Sequence, residues 1–318
     1  MIKPILTISI VHFNTADLTK NCILSLLDVL DSTTLSHSFQ ISIVDNRSAL
    51  VEFEKLNKFI KSLNRSEIFL YRNCMNSGFG LGCMLTLNQS SGKYIAFVNS
   101  DTFYDEDCFT PLIEILDNNE NIGIITPQHK DENGVEIISY GSFESLSGRF
   151  LGNLFGRSRN GSKSLAPSVT QKIDFPFGCF MLVRRDAFEK VGGFDPNIFL
   201  YYEEMDLCYR MVKFGYESHF YPTVSFMHIG GGSSDVEMSN TLRYESLVSM
   251  IYVVRKHRGV FYGFTFFIFL VLQYFFKAFF KKRNREIFFK LLQSSYSLTM
   301  SHRLKQECNF SVGNKISK

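Results

Sequence analysis

Over residues 5–128 the chain alternates short β-branched runs with stretches of helical periodicity. That alternation leaves few folds open, because strands joined through helices pair side by side in one direction. Ile5–Phe13 predicts a first strand, and Asn14 or Thr15 caps a helix whose Leu18, Cys22, Leu26 and Leu30 share one face. Further strands are expected at Gln40–Val44, ending at Asp45, at Ile68–Tyr71 and at Tyr94–Asn99. Between the last two lies a loop of small residues, Asn76–Gly82, and a helical stretch to Gln89; a helix over Tyr104–Leu116 follows. The expected architecture is α/β: a Rossmann-like sheet flanked by helices.

Between Asp131 and Lys172 the pattern fails, and Gly156–Ser162 has no apolar periodicity, so a mobile loop is expected over about 131–172. Order returns with a strand at Phe180–Arg184, a short helix from Asp186 stopped by Gly192-Gly193, and a helix over Glu203–Phe214 ended by Gly215. Late strands are expected at Glu217–Tyr221 and Val224–His228.

Charge divides the chain in two. Residues 251–318 carry 13 Lys/Arg and 2 Asp/Glu, which leaves 21 and 29 of the chain's 34 and 31 for residues 1–250. The basic tail also holds Gly259–Phe276, eighteen residues without a charge, so lipid rather than nucleic acid is the expected partner. Arg255, Lys256 and Arg258 precede that stretch; Lys277, Lys281, Lys282, Arg283 and Arg285 follow it. Positive charge on both flanks disfavours a simple crossing. A hairpin of interfacial helices within 259–300, the second over Glu286–Met300, would lie on an anionic leaflet. The structural alternative is a buried helix pair or dimer interface. Seven cysteines without a C-x-x-C pair argue for reduced thiols, a cytosolic setting and no structural zinc, and the opening MIKPILTISIVHF reads as a strand rather than a signal peptide.

In an open α/β sheet ligands bind beyond the carboxyl ends of the strands, so acids at those ends are examined first. Asp45 could accept a hydrogen bond from a nucleoside or serve as a turn residue. Asp101, in Asn99-Ser100-Asp101, offers a hard oxygen to Mg²⁺ or Mn²⁺ or caps the next helix. Glu203, Glu204 and Asp206 fall in one helical turn behind Phe199-Leu200-Tyr201-Tyr202, where they complement the helix dipole or supply a general base. His228, ahead of Gly230–Ser234, is a candidate nitrogen ligand or a structural histidine. Gly78-x-Gly80-x-Gly82 matches neither a P-loop nor a dinucleotide fingerprint.

Their order along the chain is more specific than any one of them. Ile8–Asn14, Val44-Asp45-Asn46, Asn76–Gly80, Asn99–Thr102, Gly178–Arg185, Val191–Asp195, Tyr202–Arg210 and His228–Ser233 together resemble the family 2 glycosyltransferases of the GT-A fold, rhamnosyltransferase-like bacterial members above all. The resemblance implies a mixed GT-A sheet over 1–250 with a helical, membrane-associating appendage over 251–318. It implies an inverting, metal-dependent hexosyltransferase of O-antigen or capsule synthesis, at the cytoplasmic face of the inner membrane. In that scheme Asp45 recognises the nucleoside, Asp101 and His228 hold Mg²⁺ or Mn²⁺, and Glu204 is the base. Asn14, Asn76, Gly78, Asn99, Glu203 and Asp206 complete the nucleotide-sugar site. The implied donor is dTDP-rhamnose, with UDP-hexose or UDP-galactofuranose as the alternative, and the implied acceptor is a glycan on polyprenyl diphosphate.

Two departures stand out. Asn99 replaces the first acid of the family's D-x-D motif, and Glu204 stands where aspartate is commoner. A non-catalytic nucleotide-sugar-binding protein would keep Asp45 without needing Glu204. A nucleotidyltransferase is disfavoured because His12–Asp17, after the first strand, has no glycine or basic residue.

Overall fold

A computed structural model of the chain describes residues 4–148, 168–229 and 240–293. The first strands, β1 (Leu6–His12), β2 (Phe39–Asp45), β3 (Ile68–Arg72) and β4 (Tyr94–Asn99), are parallel in the order β3-β2-β1-β4. They alternate with α1 (Ala16–Asp31), α2 (Leu50–Leu63) and α3 (Gly78–Thr86), the last followed by a 3-10 turn over Leu87–Gln89. β2 and β4 flank β1, so the chain reverses its direction of travel across the sheet there. That reversal opens a crevice at the strand ends.

The far half of the sheet is mixed. After β5 (Thr102–Phe103) and α4 (Phe109–Asn118) come β6 (Ile122–Lys130), β7 (Glu136–Ile137), β8 (Tyr140–Gly141), β9 (Gln171–Ile173), β10 (Phe175–Pro176) and β11 (Phe180–Arg184). Then follow α5 (Arg185–Lys190), α6 (Glu203–Lys213) and β12 (Glu217–His228). β11 lies antiparallel between β4 and β6, and β12 runs parallel to β6 but antiparallel to β5. One core covers the α1 and α4 face, a second the α3, α5 and α6 face. On α4 alone Phe109, Leu112, Ile113 and Leu116 are buried, each stabilising by about 1.5–3 kcal/mol relative to exposure.

Several boundaries differ from the sequence pattern for local reasons. The expected Asn76–Gly82 loop is helical from Gly78, which turns the chain at φ 81°. The helix expected at Tyr104 begins at Phe109, where the Asp107 carboxylate accepts from the amides of Phe109 and Thr110. The two late strands are one, β12, with its register shift between Tyr221 and Ser225. Of the loop expected over 131–172, residues 149–167 lie outside the described residues, and the remainder carries β7, β8 and part of β9.

Three helices finish the described chain: α7 (Asn240–Arg258), α8 (Val260–Phe280) and α9 (Lys282–Gln293). α7 runs unbroken through residue 250, where the charge pattern places a boundary. Gly263, Phe266, Leu270 and Tyr274 are the buried side of α8, and they pack with Leu247, Met250, Ile287 and Leu291 into a third core. The other side of α8 is apolar and bare, with Phe261 81% and Phe280 87% exposed. Among the described residues α8 is the one helix long and apolar enough to cross a membrane by length and composition. Residues 294–300, the end of the second expected interfacial helix, lie outside the described residues. Five of the six cysteines described are buried, and Cys74 is exposed.

Candidate active site

Strand register assembles the first part of the site. His12 faces Asp45 across β1–β2, and Asp45 faces Arg72 across β2–β3. Asp45 is fully buried; one carboxylate oxygen accepts from the Ser48 amide at 3.1 Å, and the other lies 3.4 Å from Arg72 Nε. That second oxygen, Arg72 Nε and His12 Nε2 are buried without a hydrogen-bond partner. Two of these, Asp45 Oδ2 and Arg72 Nε, are ion-paired with each other outside hydrogen-bond geometry, so the ends of these three adjacent strands keep hydrogen-bonding capacity for a ligand. Arg72 is steadied by the Ser48 carbonyl at 2.8 Å and by the Phe53 ring, 4.3 Å from its guanidinium carbon. Asn14, at φ 55°, braces the entrance: its amide donates to Ser48 Oγ and its side-chain oxygen accepts from Ala49 N.

Asn46 organises the next segment. Its Nδ2 donates to Asn76 Oδ1 and to the Gly78 carbonyl, both at 2.9 Å, and its Oδ1 accepts from the Ser77 amide and hydroxyl and from Asn73. Gly78 is compelled by space as well as by φ: a Cβ there would sit 1.9 Å from the Phe199 carbonyl oxygen. The neighbouring Phe79 amide donates to that carbonyl at 3.0 Å, tying the Asn76–Gly78 turn to the segment ahead of α6.

β12 delivers His228 to the end of β4. His228 pairs with Thr102 across β12–β5, and His228 Nε2 reaches Asp101 Oδ1 at 2.8 Å and Asn99 Nδ2 at 3.5 Å. Asp101 does not cap α4, since Asp107 does; its carboxylate is turned to the histidine instead. Thr15 and Ser100 hydroxyls meet at 3.1 Å, and Thr15 also contacts His12 Nδ1, so hydrogen bonds tie the end of β1 to the segment that carries Asp101. His129 stacks on Phe226 and packs 5.3 Å from the His228 ring; burial lowers its pKa to about 3, and it stays neutral. Asp101 and His228 form a mixed carboxylate and imidazole donor pair, and among the described residues no third such side chain joins them in a ready metal cage. Gly230–Ser234 lie outside the described residues.

α6 supplies the remaining carboxylates. Tyr201 and Tyr202 both adopt left-handed backbone, φ 67° and 70°, immediately before Glu203. For non-glycine residues this costs about 1–3 kcal/mol each and persists where the surroundings impose it. Burial raises Glu204 to about 7, and burial together with the Glu204 charge holds Glu203 well above the usual carboxylate range. One oxygen of Glu203 is buried without a partner. Glu204 and Asp101 both act on the Cys179 thiol, which burial first of all pushes up to about 12. The base candidate and the His228–Asp101 pair therefore both lie near one buried residue, Cys179.

Asp206, one turn on, is engaged elsewhere. Burial opposes its ionisation, yet His257 at 2.7 Å, Arg210 at 2.7 and 2.9 Å and Lys256 at 2.6 Å lower it to about 2. This ion cluster fastens α6 to α7. The sequence pattern passes over Arg72, His12 and the hub role of Asn46. Their signal was present: a polar residue at the end of each of three adjacent strands.

A sequence profile described as glycosyl transferase family 2 matches residues 7–192. The chain is 26% identical over 164 residues to rhamnosyltransferase WbbL of Escherichia coli, covering 51% of this chain and 62% of that protein. It is 34% identical over 82 residues to the N-acetylglucosaminyl-diphospho-decaprenol L-rhamnosyltransferase of Mycobacterium tuberculosis, covering 26% of this chain and 27% of that protein. The match thus spans less than two thirds of either relative. Among solved structures, GalNAc-T7 with UDP, GalNAc and Mn²⁺ superposes with a TM-score of 0.59 at 16% identity, over 80% of this chain and 48% of that one. The fold is GT-A, a mixed sheet flanked by helices. With more than half its length matched, the chain belongs to glycosyl transferase family 2.

Proposed function

We propose that this glycosyltransferase works with inversion, moving L-rhamnose from dTDP-rhamnose to a hydroxyl of a glycan carried on polyprenyl diphosphate. One observation carries the mechanism: a carboxylate raised to about 7, Glu204, lies close enough to the Asp101–His228 pair that Glu204 and Asp101 both act on the buried Cys179 thiol. A base needs a pKa near the working pH and a place beside the departing group. The transferred sugar and the lipid-linked acceptor follow the names of the two rhamnosyltransferase relatives, and the dTDP carrier follows the family resemblance.

Asp45, with Arg72 beside it, holds the nucleoside, and Asn14, Asn76, Gly78 and Asn99 frame the donor along the crevice. Asp101 and His228 would hold a divalent ion, offering it one oxygen and one nitrogen donor. When bound, Mg²⁺ or Mn²⁺ neutralises charge on the departing diphosphate. Glu204 takes the acceptor hydroxyl proton while that oxygen attacks the anomeric carbon; the bond from that carbon to the diphosphate oxygen breaks, and configuration inverts. Burial and the Glu204 charge both push Glu203 upward beside the base, and Asp206 keeps the helix in place.

The bare face of α8 and the basic residues around α9 rest on the membrane surface that carries the acceptor, at the cytoplasmic side of the inner membrane. The apolar face enters the headgroup boundary while Lys277, Lys281, Lys282 and Arg285 meet anionic lipid. The test is a donor screen, dTDP-rhamnose against UDP-sugars, with Mg²⁺ or Mn²⁺ and N-acetylglucosamine on polyprenyl diphosphate. Rhamnosyl transfer with inverted configuration is expected. Transfer from UDP-sugars alone would replace the donor, and donor binding without transfer or hydrolysis would leave a binding protein.

A further inference from the structure

The left-handed turn ahead of Glu204 is held from two directions. On one side the Phe199 carbonyl accepts from Phe79 N in α3. On the other, α7 reaches across: buried Ser249 donates its hydroxyl to the Leu200 carbonyl at 2.9 Å, and the Tyr202 hydroxyl meets Met250 Sδ at 3.3 Å. Further along the same helix Tyr252 and Lys256 grip Asp195, and Lys256 and His257 grip Asp206. α7 therefore holds the segment 195–206 at both ends and in the middle. The Ser249 contact is the one made to the turn's own backbone, one residue before the two strained positions.

We propose that Ser249 is a positioning residue for sugar transfer: through the Leu200 carbonyl it fixes the turn that aims Glu204 at the acceptor hydroxyl. The inference rests on the reading of Glu204 as the base. A strained turn relaxes when one of its anchors is lost, and a base displaced by about 1 Å can cost as much as 100-fold in rate. Donor binding uses the other strand ends and is untouched. α7 leads through Gly259, at φ 91°, into α8, so the strut that sets the base is continuous with the helix proposed to meet the membrane.

The experiment uses full-length protein and the lipid-linked acceptor, with rates expressed per donor-binding site from a titration with nucleoside diphosphate. Ser249→Ala is expected to lower kcat about tenfold or more with donor KM within twofold. Ser249→Cys, similar in volume with a weaker donor, falls between and serves alone where the alanine variant does not fold. A kcat per site within twofold of wild type in whichever variant is read overturns the proposal, as does a fall in kcat matched by an equal rise in donor KM. Glu204→Gln separates the two readings. If it keeps turnover, the base assignment fails; if it is inactive while Ser249→Ala is fully active, only the role of Ser249 fails.

Discussion

Glu204 and Asp206 stand two residues apart in the first turn of α6, yet one is held near 7 and the other near 2. Asp206 is fully buried and Glu204 half-buried, so both lose hydration, and the difference lies in what replaces it. Asp206 meets a guanidinium, an ammonium and an imidazole, which more than offset its lost hydration. Glu204 has no such cation: the titratable groups it acts on are Cys179, Cys208, Tyr201 and Glu203, none of which offsets its lost hydration. A run of acids in a first turn thus divides into a fastener and a carboxylate held near neutrality according to what the next layer of structure brings.

The strongest way to break this division is Glu204→Gln. The expected result is a loss of about 10³-fold or more in kcat, in keeping with the 10²–10⁴ typical of a removed general base, while donor Kd changes little. Wild-type-like turnover would end the contrast. Next, Asp206→Asn leaves Lys256 and Arg210 facing a neutral amide and should cost about 3–5 kcal/mol in chemical denaturation, the usual penalty for breaking a buried ion pair. A loss below about 1 kcal/mol would make Asp206 dispensable as a fastener.

A third test uses Asp101→Ala, expected to remove the dependence of turnover on added Mg²⁺ or Mn²⁺ along with most of the rate; unchanged metal dependence would move the ion elsewhere. A fourth follows from protonation. Because Glu204 must be ionised to act, kcat should rise with pH through about 7 and level off above it. The stability effect has the opposite sign: a raised carboxylate favours folding below its unfolded value near 4.5, and that contribution is lost as pH climbs toward 7. Glu204→Gln should therefore melt about 2–4 °C higher than wild type at pH 8 and no higher at pH 4. Asp206 contributes above its unfolded value near 3.8, and its contribution is lost as pH falls toward 2.

What the sequence made legible is what local chemistry sets. The βα alternation fixed β1 through β4, and acids after apolar runs marked Asp45 and Asp101, because strand ends are where sequence and site coincide. Asp206 was not separable from Glu204 by pattern, because its partners Lys256 and His257 lie some fifty residues on, across a helix-to-helix contact. The left-handed turn at Tyr201-Tyr202 carried no glycine to announce it; only the packing of α3 and α7 around it imposes that backbone. Arg72 fell just past the strand expected over Ile68–Tyr71, and its role shows only where β2 sets Asp45 beside it.

The lone exposed thiol among the described residues has a practical use. Cys74 sits between Asn73, which donates to Asn46 and Ser77, and the Asn76–Gly78 turn, while the other five described cysteines are shielded from reagents. A maleimide fluorophore attached there, with Cys308 outside the described residues replaced, would sit beside the crevice at the strand ends, so its emission offers an optical readout of ligand binding.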